Sequence, residues 1–147
     1  SGGGPMAIKM VELTSIDARR FSKRSEKTVN IRIDNNSTVT LITRTGEDEA
    51  NVEFRYTASY GSVGVIKIEG TLLYQGNAGE LVEKWSASGN MPDKVASEVH
   101  TAIMRACVPE AVMISRDLHL PPPIPMPQIN VSKQKGKKSQ SSGMEVA

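Results

Sequence analysis

His100, His119 and Cys107 supply all the imidazole and thiol chemistry this chain has. Neither histidine belongs to a spaced set of His, Cys, Asp and Glu that could wrap an ion. His100 lies between Val99 and Ile103 but off the apolar stripe of its segment, which reads as a surface histidine. Cys107 has helical, apolar neighbours, which reads as a buried core thiol. A single cysteine cannot form an intrachain disulfide and fits a reducing compartment. Glu47, Asp48 and Glu49 cluster as paired catalytic carboxylates would, but they fall in a turn and read as a solvated tip. Gly61-Ser62-Val63-Gly64 has no helix behind it, so it is a hairpin turn rather than a phosphate cradle. The chain has no Gly-x-Ser-x-Gly, P-loop or dinucleotide fingerprint. These residues give no positive reason to expect an enzyme, and no metal or cofactor is expected.

The chemistry that remains is apolar. Six aromatics (Trp 1, Tyr 3, Phe 2) are outnumbered by seven methionines, and Met91, Met104, Met113 and Met126 lie in the C-terminal half. Thioethers suit either core gaps or a surface that adapts to many partners. The net charge of +2 misleads about the folded part. Setting aside the tail's Lys133, Lys135, Lys137, Lys138 and Glu145 leaves 14 of 18 bases and 15 of 16 acids. A nucleic-acid binder usually shows a basic face on the domain itself, which argues against a nucleic-acid partner here. No apolar run is long enough for a membrane span, and no signal peptide is apparent. Residues 1–6 read as an expression scar. A soluble, cytoplasmic protein is expected.

The elements that must position this apolar material centre on Asn51 to Tyr74. Val52, Phe54, Tyr56, Ala58 and Tyr60 alternate with Glu53, Arg55, Thr57 and Ser59, and a second arm alternates from Val65 to Tyr74. Such period-2 patterns predict two strands of a hairpin turning at Gly61–Gly64. A three-residue loop, or a bulge at Gly64, keeps the faces in phase. It pairs Arg55 with Glu69 and lays Phe54 over Gly70. Ala7–Phe21 predicts a long strand with an irregularity near Ser15–Asp17, followed by a polar loop to Lys27. Val29, Ile31 and Ile33, resuming at Val39 and Leu41, predict two short strands or one long one with a bulge. Glu80–Ala87 predicts a short helix. A long helix follows over Lys94–Asp117, with Asn90 as its cap, Pro92 in its first turn and a kink or restart at Pro109. Leu120–Val131 carries too many prolines for helix and predicts a packed, extended path.

The expected fold is α+β: a four-stranded antiparallel meander sheet with the short helix and the long C-terminal helix on one face. The domain spans 7–131, and 132–147 is expected to be a disordered basic tail. The other sheet face, with Val65 and Leu73, would be left uncovered, for which oligomerisation is the usual remedy.

This order of elements resembles the SecB family of bacterial export chaperones over roughly residues 8–131. YTASYG followed by VGVIKIEGTLLY resembles that family's third strand, turn and fourth strand. VNIRIDNNSTVTL resembles its second strand. VASEVHTAIMRACVPEAVMISRDLHLPPPIPMPQINV resembles its long helix and the Leu- and Pro-containing segment after it. The resemblance implies an ATP-independent holding chaperone, a homo-oligomeric dimer of dimers (a tetramer), with unfolded polypeptides as partners and protein transport as the setting. It places client binding on Leu13, Ile16, Phe21, Leu81, Trp85, Ile124 and Met126. Two rivals stand beside it: an oligomeric structural or assembly module of the same fold, and a nucleic-acid accessory protein acting through the lysine tail.

Overall fold

A computed structural model describes residues 7–23, 31–124 and 141–146 of the chain. Four long strands, β1 (Ile8–Arg20), β2 (Ile31–Gly46), β3 (Glu49–Ser59) and β4 (Gly64–Gln75), precede the helices α1 (Ala78–Ser88) and α2 (Asp93–Asp117). A short strand, β5 (Ser141–Val146), comes last. All pairings are antiparallel, and the order across the sheet is β1-β4-β3-β2-β5. The expected α+β architecture is present, with β2, β3 and β4 as consecutive hairpins. β1 joins the meander beside β4 rather than beside β2.

One departure lies in the tail. Residues 141–146, expected to be unstructured, pair with Ile31–Asn36 of β2. An open strand edge presents unpaired N–H and C=O groups that any extended segment can satisfy, a demand that tail composition does not reveal. Of the remaining tail, residues 132–140 and 147 lie outside the described residues, as do 1–6.

The central hairpin has the predicted register, with Phe54 opposite Gly70 and Arg55 opposite Glu69. Gly61 adopts φ 63°, the left-handed conformation a tight turn needs and glycine supplies without steric cost. The Tyr60 N–H donates to the Gly64 carbonyl at 2.9 Å, closing the loop. Arg55 Nε reaches Glu69 Oε2 at 3.3 Å across the strands. β2 is one continuous strand with a register shift between Val39 and Leu41. β1 is irregular earlier than expected, between Lys9 and Glu12 and again between Leu13 and Ser15. Gly70 explains why. A Cβ there would sit 2.7 Å from the Phe54 ring and closer still to the Glu12 carbonyl oxygen, so β1 bends across a residue in the middle of β4 that has no side chain.

Both helices contact the face bearing Val52, Phe54, Tyr56, Ile66, Ile68 and Leu72, all of which are buried. α1 starts at Asn77, whose Oδ1 accepts from the Glu80 N–H at 3.1 Å, and stops at Gly89 with φ 74°. α2 buries Val99, Ile103, Cys107, Ala111 and Ser115, one residue every four, which makes a narrow stripe on the sheet. Asn90 does not cap it: Pro92 holds the N-cap position without a side-chain bond, and Asp93 stands in the first turn. The helix neither ends nor restarts at Pro109. Pro109 and Arg105, whose carbonyl loses its donor, are both exposed, so water can satisfy that group. Leu120 is buried, and the Tyr60 hydroxyl donates to the Pro121 carbonyl at 2.6 Å, so the extended path after α2 packs on the domain as far as it is described.

Gly70→Ala should cost about 1–3 kcal/mol in urea unfolding, because Phe54 and the β1 backbone must both give way. Gly46→Ala, whose Cβ meets only the Glu49 side chain, at 3.5 Å or more, should stay within about 0.5 kcal/mol of wild type.

Candidate functional site

β1 is an outer strand, and its helix-side residues are read from their partners. Leu13, Ile16 and Ala18 stand opposite Gly70, Ile68 and Ile66, so they share the face on which α2 packs. The coverage runs out there. Ile68 is fully buried, while its partner Ile16 is 51 % exposed. Near the start of the strand, Ile8 and Val11 face Ala102 and Ala106 of α2 across a cavity of about 490 Å³, to which Glu98 and Arg105 add one charge of each sign. Small residues at i and i+4 keep the helix from filling the space.

Met10 stands beside this cavity in sequence, at φ 53° and 62 % exposed. Left-handed backbone costs a non-glycine residue about 1–2 kcal/mol, and here it coincides with the register shift between Lys9 and Glu12. Phe21, 57 % exposed, follows the strand's other end. Its N–H donates to the Val63 carbonyl at 2.7 Å. The adjoining Arg20 guanidinium donates to the carbonyls of Leu118 at 3.2 Å and His119 at 2.5 Å, tying the end of β1 to the chain after α2. Met10, Ile16 and Phe21 thus form an exposed apolar series along one sheet edge, with the cavity at its beginning.

Three of the seven residues expected to bind clients, Leu13, Ile16 and Phe21, belong to this edge; Leu13 is partly buried against the core. Ile124 is 48 % exposed and follows the segment that Arg20 and Tyr60 hold. Leu81 is only 1 % exposed, a core residue and not a binding one, because α1 turns it onto the sheet. Trp85 is half-buried on α1, which contacts β2 and β3 rather than β1. Met126 lies outside the described residues. Sequence reasoning missed Met10, Val11 and the Ala102–Ala106 pair. Their only signal was the broken alternation at Ile8, Met10, Val11 and Leu13.

The polar groups under α2 are structural. Ser37 Oγ and His100 Nδ1 share a hydrogen bond of 2.5 Å, which corrects the surface reading of His100: α2 lies over β2 at this point, and burial lowers the imidazole's pKa. The Tyr56 hydroxyl donates to Asn35 Oδ1. Cys107 is buried as expected, and burial followed by the Glu110 charge pushes its thiol up to about 12. Such a thiol is inert rather than nucleophilic. Among the described residues, no three His, Cys, Asp or Glu gather closely enough to hold a metal ion, and no helix is long and apolar enough to cross a membrane. Comparison with protein-family models, curated proteins and solved structures finds no match for this chain.

A histidine whose folded pKa lies below its ordinary 6.5 takes up protons more readily when unfolded. Its contribution to stability is therefore complete above that value and lost as pH falls through the lowered folded pKa. Urea midpoints measured from about pH 7.5 down to about pH 5 should fall, and the fall should be shallower in His100→Gln. Parallel curves for the two proteins would assign the pH dependence elsewhere.

Proposed function

We propose that this chain holds extended apolar segments of non-native polypeptides, without ATP, on the β1 edge and its cavity. The observation that carries the reading is the exposed series Met10, Ile16 and Phe21 on an outer strand. Burying a large apolar side chain contributes about 1.5–3 kcal/mol. Each of these is already half covered, so roughly 1 kcal/mol apiece remains. A few such contacts, offset by the cost of ordering a client, give weak, reversible and sequence-tolerant binding. Holding an aggregation-prone segment needs that and no covalent chemistry. In the setting implied by the resemblance to SecB, the protein works as a homo-oligomer in protein transport in the cytoplasm.

A second reading draws on the same strand. Among the described residues no strand pairs with the outer edge of β1, and an open edge can receive a second copy, making the chain an assembly module that holds nothing. The reading through the lysine tail draws no support from the described domain, and Lys133–Lys138 lie outside the described residues.

Light scattering of a diluted, denatured client should be suppressed by roughly stoichiometric amounts of the protein. Ile16→Asp combined with Phe21→Asp should lower the free energy of unfolding by about 2 kcal/mol, roughly half the burial value of each side chain, leave the protein folded, and abolish most of the suppression. Solution mass measured alongside separates the readings: an oligomer that suppresses nothing is a scaffold, and the holding proposal then falls.

A further inference from the structure

The sheet has a second edge, and the chain covers it with its own end. β5 adds to β2 at Ile31–Asn36 with Ile31 opposite Val146, Arg32 opposite Glu145, Ile33 opposite Met144 and Asp34 opposite Gly143. The register sets apolar types against apolar types, an acid against a base and the smallest residue against Asp34. Yet β5 is a poor strand. It is six residues long, is outermost in the sheet, and has a glycine in its interior and two serines at its start. β2 itself continues to Gly46, and no described strand pairs with its outer side beyond Asn36.

We propose that the outer edge of β2 is a strand-addition site for extended polypeptide segments, and that β5 is a displaceable internal occupant of it. Identifying the occupant as a non-native client rests on the holding function proposed above. The partner's chemistry follows from the edge. It is an unfolded segment that supplies main-chain donors and acceptors, with apolar residues at alternate positions opposite Ile31 and Ile33 and an acid between them opposite Arg32. Backbone pairing gives affinity with little demand on sequence, while alternate side chains set a mild preference. A client longer than β5 can continue past Asn36 toward the irregularity after Val39 and gain pairs that β5 does not make. β5 belongs to the same chain as β2, so it competes as an intramolecular strand, enough to cover the edge when no client is present and too little to exclude a better strand.

The test uses the full chain and the double substitution Met144→Pro with Glu145→Pro, which removes whichever of these two neighbouring N–H groups points at β2, fixes φ at both positions, and leaves the rest of the sheet unchanged. Two labelled probes, the peptide SSGMEVA and a longer soluble peptide of alternating valine and threonine with one glutamate, are titrated by fluorescence anisotropy. The proline chain should bind both at least about tenfold more tightly than the native chain, because the competing internal strand is gone. Hydrogen exchange should show the amides of Ile31–Asn36 losing protection in the proline chain and regaining it when peptide is added. Equal affinities for the two chains, no binding to the proline chain, or protection arising on Ile8–Arg20 instead would each overturn the proposal. Aggregation assays on the same two proteins separate the claims. Suppression without peptide binding at β2 leaves the holding function standing and removes this site. Peptide binding at β2 without suppression does the reverse.

Discussion

Phe54 lies across Gly70, and the rest of the sheet is set by that contact. Any side chain at Gly70 would run into the ring, so the register that sets Phe54 opposite Gly70 is the one that leaves the aromatic its space. That register keeps Val52, Tyr56 and Ala58 on the face of Ile66, Ile68 and Leu72. A slip of one residue would send every one of these to the opposite face. The same missing side chain lets the Glu12 backbone pass close by, so the irregularity in β1 and the smooth pairing of β3 with β4 have one cause.

α2 covers that face along a fully buried stripe flanked by partly buried apolar side chains, and polar contacts lie beneath it. Tyr56 to Asn35 and Ser37 to His100 are buried or half-buried bonds beneath it, and Tyr60 to Pro121 secures the chain beyond its end. Burial raises the Tyr56 hydroxyl well above the ordinary tyrosine range, so it remains a protonated donor. A buried polar group left without its partner costs about 1–3 kcal/mol. The Ser37–His100 bond fastens the helix to β2, while α2 also contacts β1, β3 and β4, and it leaves Ile16 of β1 about half exposed. The opposite face has no such need. Arg55 and Glu69 pair across it, and Thr14 and Thr40 donate to the Glu69 and Glu53 carbonyls, so its Val65 and Leu73 are scattered among groups that water can solvate.

Much of this was legible in the alternation from Val52 to Tyr74, where two-residue periodicity and a glycine turn over-determine a hairpin and its register. The helices were legible for the same reason, since breakers at Gly89 and Pro92 separate them. What periodicity could not report was contact between elements. His100 is one residue off the stripe and was expected at the surface. It is half-buried because β2 passes beneath it and offers Ser37. Leu81 and Ile16 are equally apolar in the sequence, yet α1 turns Leu81 onto the sheet while Ile16 stands half exposed on an outer strand. Pairing of residues 141–146 with β2 was not legible either, because an open edge recruits a strand through its backbone and needs little from the recruit's composition.

The two outer strands of the original four therefore meet the same constraint differently. β1 carries its exposed apolar side chains on an edge kinked by Met10 and by the crossing of Gly70, and an irregular edge is a poor template for a flat incoming strand. What it offers a partner is side-chain area. β2 is regular along Ile31–Asn36 and offers backbone, and that is the edge the chain covers with its own last strand. A protein that must avoid indiscriminate pairing yet keep apolar surface available gains from this division. The regular stretch Ile31–Asn36 of the β2 edge is covered, while the edge without a described partner strand is the one whose shape discourages strand addition.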